Sequence, residues 1–187
     1  MKILAIVLVA AALLAVGIGF YLRSQANEAQ SPPPKQVYRG LRDAALSTPR
    51  SKIGLPPAAT PTTPWGVVMD WTTTNGIATV VALSDGTASI YLSSGGGFIG
   101  GQSKEPISKA ARQAVLLASS CQPESRPTTT FPLPESKQVI FYLLTDKGVF
   151  TASGDEQDLQ NGTQQLSKLA NAMQEIITQY RLSEAKH

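Results

Sequence analysis

Residues 93–103 form the stretch whose residue types and spacing come closest to a motif with known chemistry. Its letters G-x-G-x-x-G, which begin at Gly95, match the fingerprint of dinucleotide-binding loops between a strand and a helix. Such a fold also needs a parallel strand after the helix, with an acid about 20 residues on. Here the acid at a comparable distance, Glu124, lies in a proline-rich segment. Gln102 also stands where a P-loop carries its phosphate-binding lysine, so nucleotide binding is not indicated.

The same stretch leaves three interpretations open. It is a structural junction, a surface for a peptide or protein partner, or a helix N-terminus that binds phosphate or another small anion. Lys104 is the nearest cation for an anion, and two neighbouring side chains offer apolar contact. The candidate ligand-contact or partner-contact residues are Gly95, Gly96, Gly97, Phe98, Ile99, Gly100, Gly101 and Lys104.

The sequence lacks the residue combinations on which most catalytic and metal sites depend. His187 is the only histidine and the last residue, so a serine or cysteine nucleophile lacks a base. Cys121, the only cysteine, falls on a predicted apolar helix stripe. The carboxylates at residues 155–158 lack the calcium-loop pattern and are expected at a helix start or in a solvated loop. We therefore predict no catalytic residue, no metal site, no cofactor and no enzymatic activity.

Asp70 is the carboxylate with the least usual predicted setting. It lies between Met69 and Trp71 near the end of a predicted strand. We expect it to hydrogen-bond to the turn at residues 72–75, while Asp85 belongs to a turn of its own.

An uncharged, apolar run over residues 3–22 predicts a single membrane-spanning helix within an anchor at residues 1–23. At a rise of 1.5 Å per residue, such a run covers about 30 Å, the thickness of a bilayer core. A cleaved signal peptide and a buried core helix are the alternatives, but the run is long for a signal peptide and bulky residues replace a cleavage site. Basic residues that follow the run, from Arg23 to Arg42, favour a cytoplasmic domain. The predicted span at residues 3–22 makes the lipid bilayer the first predicted partner.

Residues 24–64 are predicted to be a basic, proline-rich linker. They carry five basic and two acidic side chains, and residues 37–46 have the pattern of a short helix with Tyr38, Leu41 and Leu46 near one face. This helix is expected either to dock on the domain or to lie along the membrane. If wholly flexible, these 41 residues would reach on the order of 35 Å. Residues 65–187 carry nine basic and eleven acidic side chains, which gives no basic surface for nucleic acid.

Residues 65–187 are predicted to form one α+β domain. We expect two layers, with about five mainly antiparallel strands in the order β-β-β-α-β-β-α and the helices packed on one face. Asn75-Gly76 between two β-branched runs is a strong hairpin signal. Apolar residues recur with helical spacing over residues 107–121 and again over 166–180.

Four blocks of the chain resemble a family of small, uncharacterised bacterial proteins with a membrane segment, a proline-rich linker and one domain. The blocks are WGVVMD at residues 65–70, SSGGG at 93–97, FYLLT at 141–145 and IITQYRL at 176–182. The resemblance implies this architecture and a location in the bacterial cell membrane, and it brings no activity with it. We predict a membrane-tethered binding or protein-interaction module with an unidentified protein partner. The alternatives are a small-molecule or anion-binding sensor or enzyme that uses the glycine-rich loop, and a structural subunit of a membrane complex.

Overall fold

The computed structural model describes residues 33–56 and 58–185 of the chain. The predicted membrane-spanning run at residues 3–22 lies outside them. Among the residues that the structure describes, none of the helices has the length and apolar character needed to cross a membrane. Every element described below belongs to one compact unit, which begins at Pro34.

Within the described residues, this unit contains seven strands and four α-helices. The strands are β1 (Gly66–Thr73), β2 (Gly76–Leu83), β3 (Ala88–Leu92), β4 (Gly97–Phe98), β5 (Arg126–Thr128), β6 (Gln138–Thr145) and β7 (Gly148–Asp155). The helices are α1 (Pro34–Ser47), α2 (Glu105–Cys121), α3 (Glu156–Asn161) and α4 (Gln165–Glu184). Short 3-10 turns occupy Arg50–Ile53, Gly101–Ser103 and Gln122–Glu124.

The strands form one antiparallel sheet in the order β4-β3-β2-β1-β6-β7-β5. β1 and β2 meet at the predicted Asn75-Gly76 turn, where Gly76 has a φ of +117°, a conformation that glycine adopts readily. The α+β class is confirmed. The sheet has seven strands rather than about five, because β4 and β5 at its two edges are too short to show an alternating pattern.

One face of the sheet is covered by α2, α3 and α4. The predicted stripe of α2 is buried throughout and consists of Ile107, Ala110, Ala111, Ala114, Val115, Ala118 and Cys121. The corresponding buried residues of α4 include Leu166, Leu169, Ala170, Met173, Ile176 and Tyr180. These side chains pack on Val67, Met69 and Phe141 of the sheet. The alanines of α2 place little side chain between helix and strands, which lets the helix lie close to the sheet.

The opposite face is covered by α1, and this corrects the prediction that all helices lie on one face. Alternate residues of a strand point to opposite faces. The second core accordingly contains Val68, Val81, Ile140, Tyr142 and Leu144 from the strands, with Leu46, Leu55 and Trp65. α1 buries Tyr38, Arg42 and Leu46, which lie four residues apart on one side of the helix. The unit is therefore three layers thick, and residues 34–47 belong to it.

Candidate functional site

The glycine-rich stretch joins β3 to α2, as expected, but it contains β4 and a 3-10 turn on the way. β4 folds back on β3 as the edge strand. At Gly97, φ is +142° and an added Cβ would clash with the carbonyl oxygen of Ile90. At Gly101, an added Cβ would lie 2.5 Å from Ile107 Cγ2 and 2.5 Å from the Tyr180 hydroxyl oxygen. Packing and strand pairing thus account for glycine at both positions.

The other glycines of this stretch lie in turns. Gly95, Gly96 and Gly100 have φ values of +104°, +81° and +68°. An added Cβ at Gly95 would lie 3.1 Å from Pro34 Cβ, so this turn is next to the start of α1. Positive φ by itself explains why glycine occupies these positions.

The three side chains predicted to contact a ligand here have different surroundings. Phe98 is half-buried and stacks on Tyr180, with ring centroids 4.8 Å apart. Lys104 forms a 3.5 Å ion pair with Glu184 at the end of α4. Ile99 is 71% exposed. The structure therefore presents Ile99 to solvent, while Phe98 and Lys104 contact α4.

A buried ion pair joins α1 to the centre of the sheet. Asp70 of β1 is 0% exposed and Arg42 of α1 is 4% exposed. Arg42 donates from Nε and Nη2 to Asp70 Oδ2, at 2.8 Å and 2.6 Å. The unusual setting predicted for Asp70 is thus real, but its partner is a helix 28 residues earlier rather than the turn at residues 72–75.

Hydroxyl and carbonyl groups complete the hydrogen bonding of this pair. Thr79 Oγ1 donates to Asp70 Oδ1 at 2.5 Å, and the Tyr38 hydroxyl lies 2.9 Å from Thr79 Oγ1. Arg42 Nη2 also donates to the carbonyl oxygens of residues 131 and 132, at 3.1 Å and 3.2 Å. We refer to Tyr38, Arg42, Asp70 and Thr79 as the latch cluster.

Tyr142 of β6 packs against Arg42 of the latch cluster. The Arg42 guanidinium lies 5.6 Å from the centroid of the Tyr142 ring, and the Tyr142 hydroxyl donates to the carbonyl oxygen of Pro132 at 2.6 Å. Burial acts to lower the pKa of Arg42, but the hydrogen bonds and the charge of Asp70 outweigh burial and raise that pKa above its ordinary value. Burial raises the pKa of Tyr142 to about 12. Arg42 therefore stays charged and Tyr142 stays neutral at physiological pH.

The polar groups of the latch cluster bond to one another rather than to an open site. The Asp70 carboxylate accepts three hydrogen bonds, and the Arg42 guanidinium reaches two further carbonyl oxygens. A carboxylate satisfied in this way and shielded from water is suited to holding elements together rather than to transferring protons. In the described part of the chain, no three His, Cys, Asp or Glu side chains are grouped so as to hold a metal ion.

The remaining residues that the sequence analysis singled out have structural positions. Asp155 accepts a hydrogen bond from the Gln157 backbone N at 2.8 Å and caps α3, so of the two expected settings the helix start is the one found. Asp85 accepts from the Thr87 backbone N at 2.8 Å within its turn. Cys121 is fully buried, and burial raises the pKa of its thiol to about 11, the reverse of what a nucleophile needs.

Tyr38 lies on the predicted face of its helix, but the sequence did not indicate that it forms a site with Arg42 and Thr79. Thr79 could have been found, because the Asn-Gly turn sets a register in which Asp70 faces Thr79 directly across β1 and β2. The four-residue spacing of Tyr38 and Arg42 predicts that they share one side of a helix. The local sequence does not indicate which strand that side packs on.

No protein-family model, no curated protein and no solved structure matches this chain. The latch cluster and the surfaces around it are therefore the observations from which a function is inferred.

Proposed function

We propose that the protein is a single-pass membrane protein. Its body, the compact unit that begins at Pro34, is an interaction module held close to the bilayer by α1. The observation that carries this proposal is the latch cluster, because it makes residues 34–47 part of the body. Residues 24–33 alone then separate the body from the predicted membrane run. These ten residues extend by at most about 33–36 Å, compared with roughly 135–150 Å for the whole predicted linker.

A short tether restricts which partners the body meets. A module that cannot move further than a few tens of ångströms from lipid encounters membrane proteins and molecules at the membrane surface at high effective concentration. A buried ion pair is a suitable device for this purpose, since it fixes one docked geometry of α1 rather than merely adding stability. The protein partner of such a module is therefore itself embedded in the membrane or bound to its surface.

The exposed side of α1 supports the predicted orientation. Lys35 and Arg39 are exposed, and both follow the apolar run within about 20 residues, the distance over which basic residues favour the cytoplasmic side. We place the body on the cytoplasmic side of a bacterial cell membrane. There the two side chains also face anionic headgroups, each with an attraction of about 1 kcal/mol near the surface.

The test measures how far the body stands from the bilayer. An Asn171→Cys variant carries a donor dye on the exposed side of α4, since Cys121 is buried, and acceptor dyes are placed in lipid headgroups. Arg42→Met breaks the latch cluster and frees α1, so energy transfer is expected to fall. Arg39→Met, which removes an exposed arginine from the same helix, is the matched control and should keep the original transfer.

Two results would contradict the proposal. One is equal energy transfer in the Arg42→Met and Arg39→Met variants while circular dichroism shows an intact sheet in both. The other is release of the full chain from membranes by alkaline carbonate, which removes proteins that do not span the bilayer.

A further inference from the structure

Two Asn-Gly pairs lie in the described part of the chain, at residues 75–76 and 161–162. Asparagine is one of the chemically labile residues of proteins. It reacts most readily before glycine, because glycine has no Cβ to keep its backbone nitrogen away from the side-chain amide. Both asparagines are exposed, so exposure alone does not rank the two pairs.

Asn75 lies in the two-residue loop that joins β1 to β2. Thr73 and Gly76 form the last pair of the β1–β2 ladder, and an added Cβ at Gly76 would meet only the Ser93 side chain. The Asn75 backbone N donates to Thr73 Oγ1 at 3.3 Å, whereas its side-chain amide has no hydrogen-bond partner among the described residues. The end of a ladder opens more readily than its centre. The Asn75 amide carbon and the Gly76 nitrogen can therefore approach each other at this tip.

Asn161 is held in place at the end of α3. Its Nδ2 donates to the Gln157 carbonyl oxygen at 3.1 Å, which keeps the amide against the preceding turn of the helix. Gly162 is packed against backbone, because an added Cβ would lie 2.7 Å from the Asp158 carbonyl oxygen and would also clash with Ser167 Oγ. Asn161 is thus an internal control that has the same sequence and exposure but a restrained amide.

We propose that Asn75 is a site of spontaneous deamidation in the folded protein, with water as the co-reactant. The Gly76 backbone nitrogen loses its proton to solvent and bonds to Asn75 Cγ. The bond from Cγ to the amide nitrogen breaks, and that nitrogen takes up a proton and leaves as ammonia. Water then opens the cyclic imide. Cleavage of the bond from nitrogen to Cγ gives aspartate, and cleavage of the bond from nitrogen to the backbone carbonyl carbon gives isoaspartate.

The isoaspartate product alters the turn that sets the register of the latch cluster. Its main chain runs through Cβ and Cγ, so the loop between Thr73 and Gly76 gains one backbone atom. The turn places Asp70 opposite Thr79 across β1 and β2, where Thr79 Oγ1 donates to Asp70 Oδ1 at 2.5 Å. Hairpin register depends on loop length and turn type. Isoaspartate therefore loosens this end of the sheet, whereas aspartate leaves the backbone path unchanged.

The experiment incubates the full-length chain in mildly alkaline water enriched in heavy oxygen, with the lipid or detergent used in its purification. Trypsin then places three asparagines in separate fragments, residues 53–104, 148–168 and 169–181. Tandem mass spectrometry detects the heavy oxygen in each new carboxyl group, so conversion during digestion is not counted. In the folded chain, Asn75 should convert at least about fivefold faster than Asn161, the effect of one neutral hydrogen bond. In urea the two rates should be similar, because both pairs are then unrestrained.

Variants and an enzymatic label identify the reacting residue and the product. Asn75→Ser should leave fragment 53–104 unlabelled, in which Gln102 is the one other side-chain amide. A methyltransferase that acts on isoaspartyl carboxylates should label this fragment from the aged parent. Asn75→Asp reproduces the aspartate product, so its urea midpoint should match that of the fresh parent, whereas the midpoint of the aged parent should be lower.

Three outcomes would overturn the inference. They are equal rates at Asn75 and Asn161 in the folded chain, heavy oxygen at Gln102 instead of Asn75, and a converted fragment without isoaspartate. A fully converted chain with the urea midpoint of the fresh parent would refute the link to the register of β1 and β2.

Discussion

Removing either partner of the buried Arg42–Asp70 pair should destabilise the protein, and the two removals should differ in size. In Arg42→Met, the Asp70 carboxylate keeps the hydrogen bond from Thr79 and loses its cation. A buried charge left without its partner costs about 3–5 kcal/mol. In Asp70→Asn, Arg42 keeps two backbone carbonyl acceptors and the Tyr142 ring, so the expected cost is smaller, about 1–3 kcal/mol.

The double variant Arg42→Met/Asp70→Val separates the charge from the packing. It removes both charges and fills the site with apolar side chains, while the Tyr38–Thr79 hydrogen bond can remain. Replacement of a whole buried ion pair by apolar residues is often neutral or stabilising. We therefore expect the double variant to recover most of the loss seen in Arg42→Met.

The assay is urea unfolding of the full-length chain, followed by tryptophan fluorescence and far-ultraviolet circular dichroism. The midpoints should rank Arg42→Met lowest, Asp70→Asn next, and the double variant nearest the parent. Two results would refute the reasoning. One is a loss below 1 kcal/mol for Arg42→Met, and the other is Asp70→Asn costing as much as Arg42→Met.

Three further predictions concern alkaline pH, glycine positions and the glycine-rich corner. Burial raises the pKa of the Cys121 thiol to about 11, so the folded state favours the neutral thiol. The resulting stabilisation, on the order of 2–3 kcal/mol, is fully present below pH 9 and is lost as the pH rises from about 9 to 11. In pH-dependent urea unfolding, Cys121→Ala should show a smaller loss of stability over that range. Gly101→Ala should lower the free energy of unfolding by about 1–3 kcal/mol through overpacking. Gly40→Ala, in an open helical position of α1, should raise it by about 0.5–1 kcal/mol. Equal shifts in the thermal unfolding midpoints of the two variants would disprove the packing assignment. Phe98→Ala should lower the free energy of unfolding by about 1–3 kcal/mol and Ile99→Ala by no more than about 0.5 kcal/mol, as measured by urea unfolding, and the reverse order would mean that the corner packs differently.

Local patterns predicted most of the sheet and the helices over its first face. The alanine stripe of α2 and the Asn75-Gly76 turn act within a few residues, so the sequence displays them directly. β4 and β5 were not predictable in this way. A two-residue strand and a three-residue strand that contains Pro127 exist because neighbouring strands offer them backbone partners.

The docking of α1 on the sheet was one of two alternatives that the sequence left open, and the reason is physical. The buried side of α1 consists of Tyr38, Arg42 and Leu46, with a charge at its centre, so its hydrophobic pattern is weak. The charge of Arg42 is accommodated because Asp70, which lies on the sheet and 28 residues later in the chain, pairs with it. Asp70 itself could be recognised as unusual in the sequence, but its partner depends on tertiary structure.

Hydrogen exchange of the α1 backbone amides in the full-length chain tests the central claim most directly. If the latch cluster makes α1 part of the body, the amides of residues 38–46 should exchange nearly as slowly as those at the centre of β1. Exchange of these amides at the rate of an unfolded peptide, while β1 stays protected, would contradict the account.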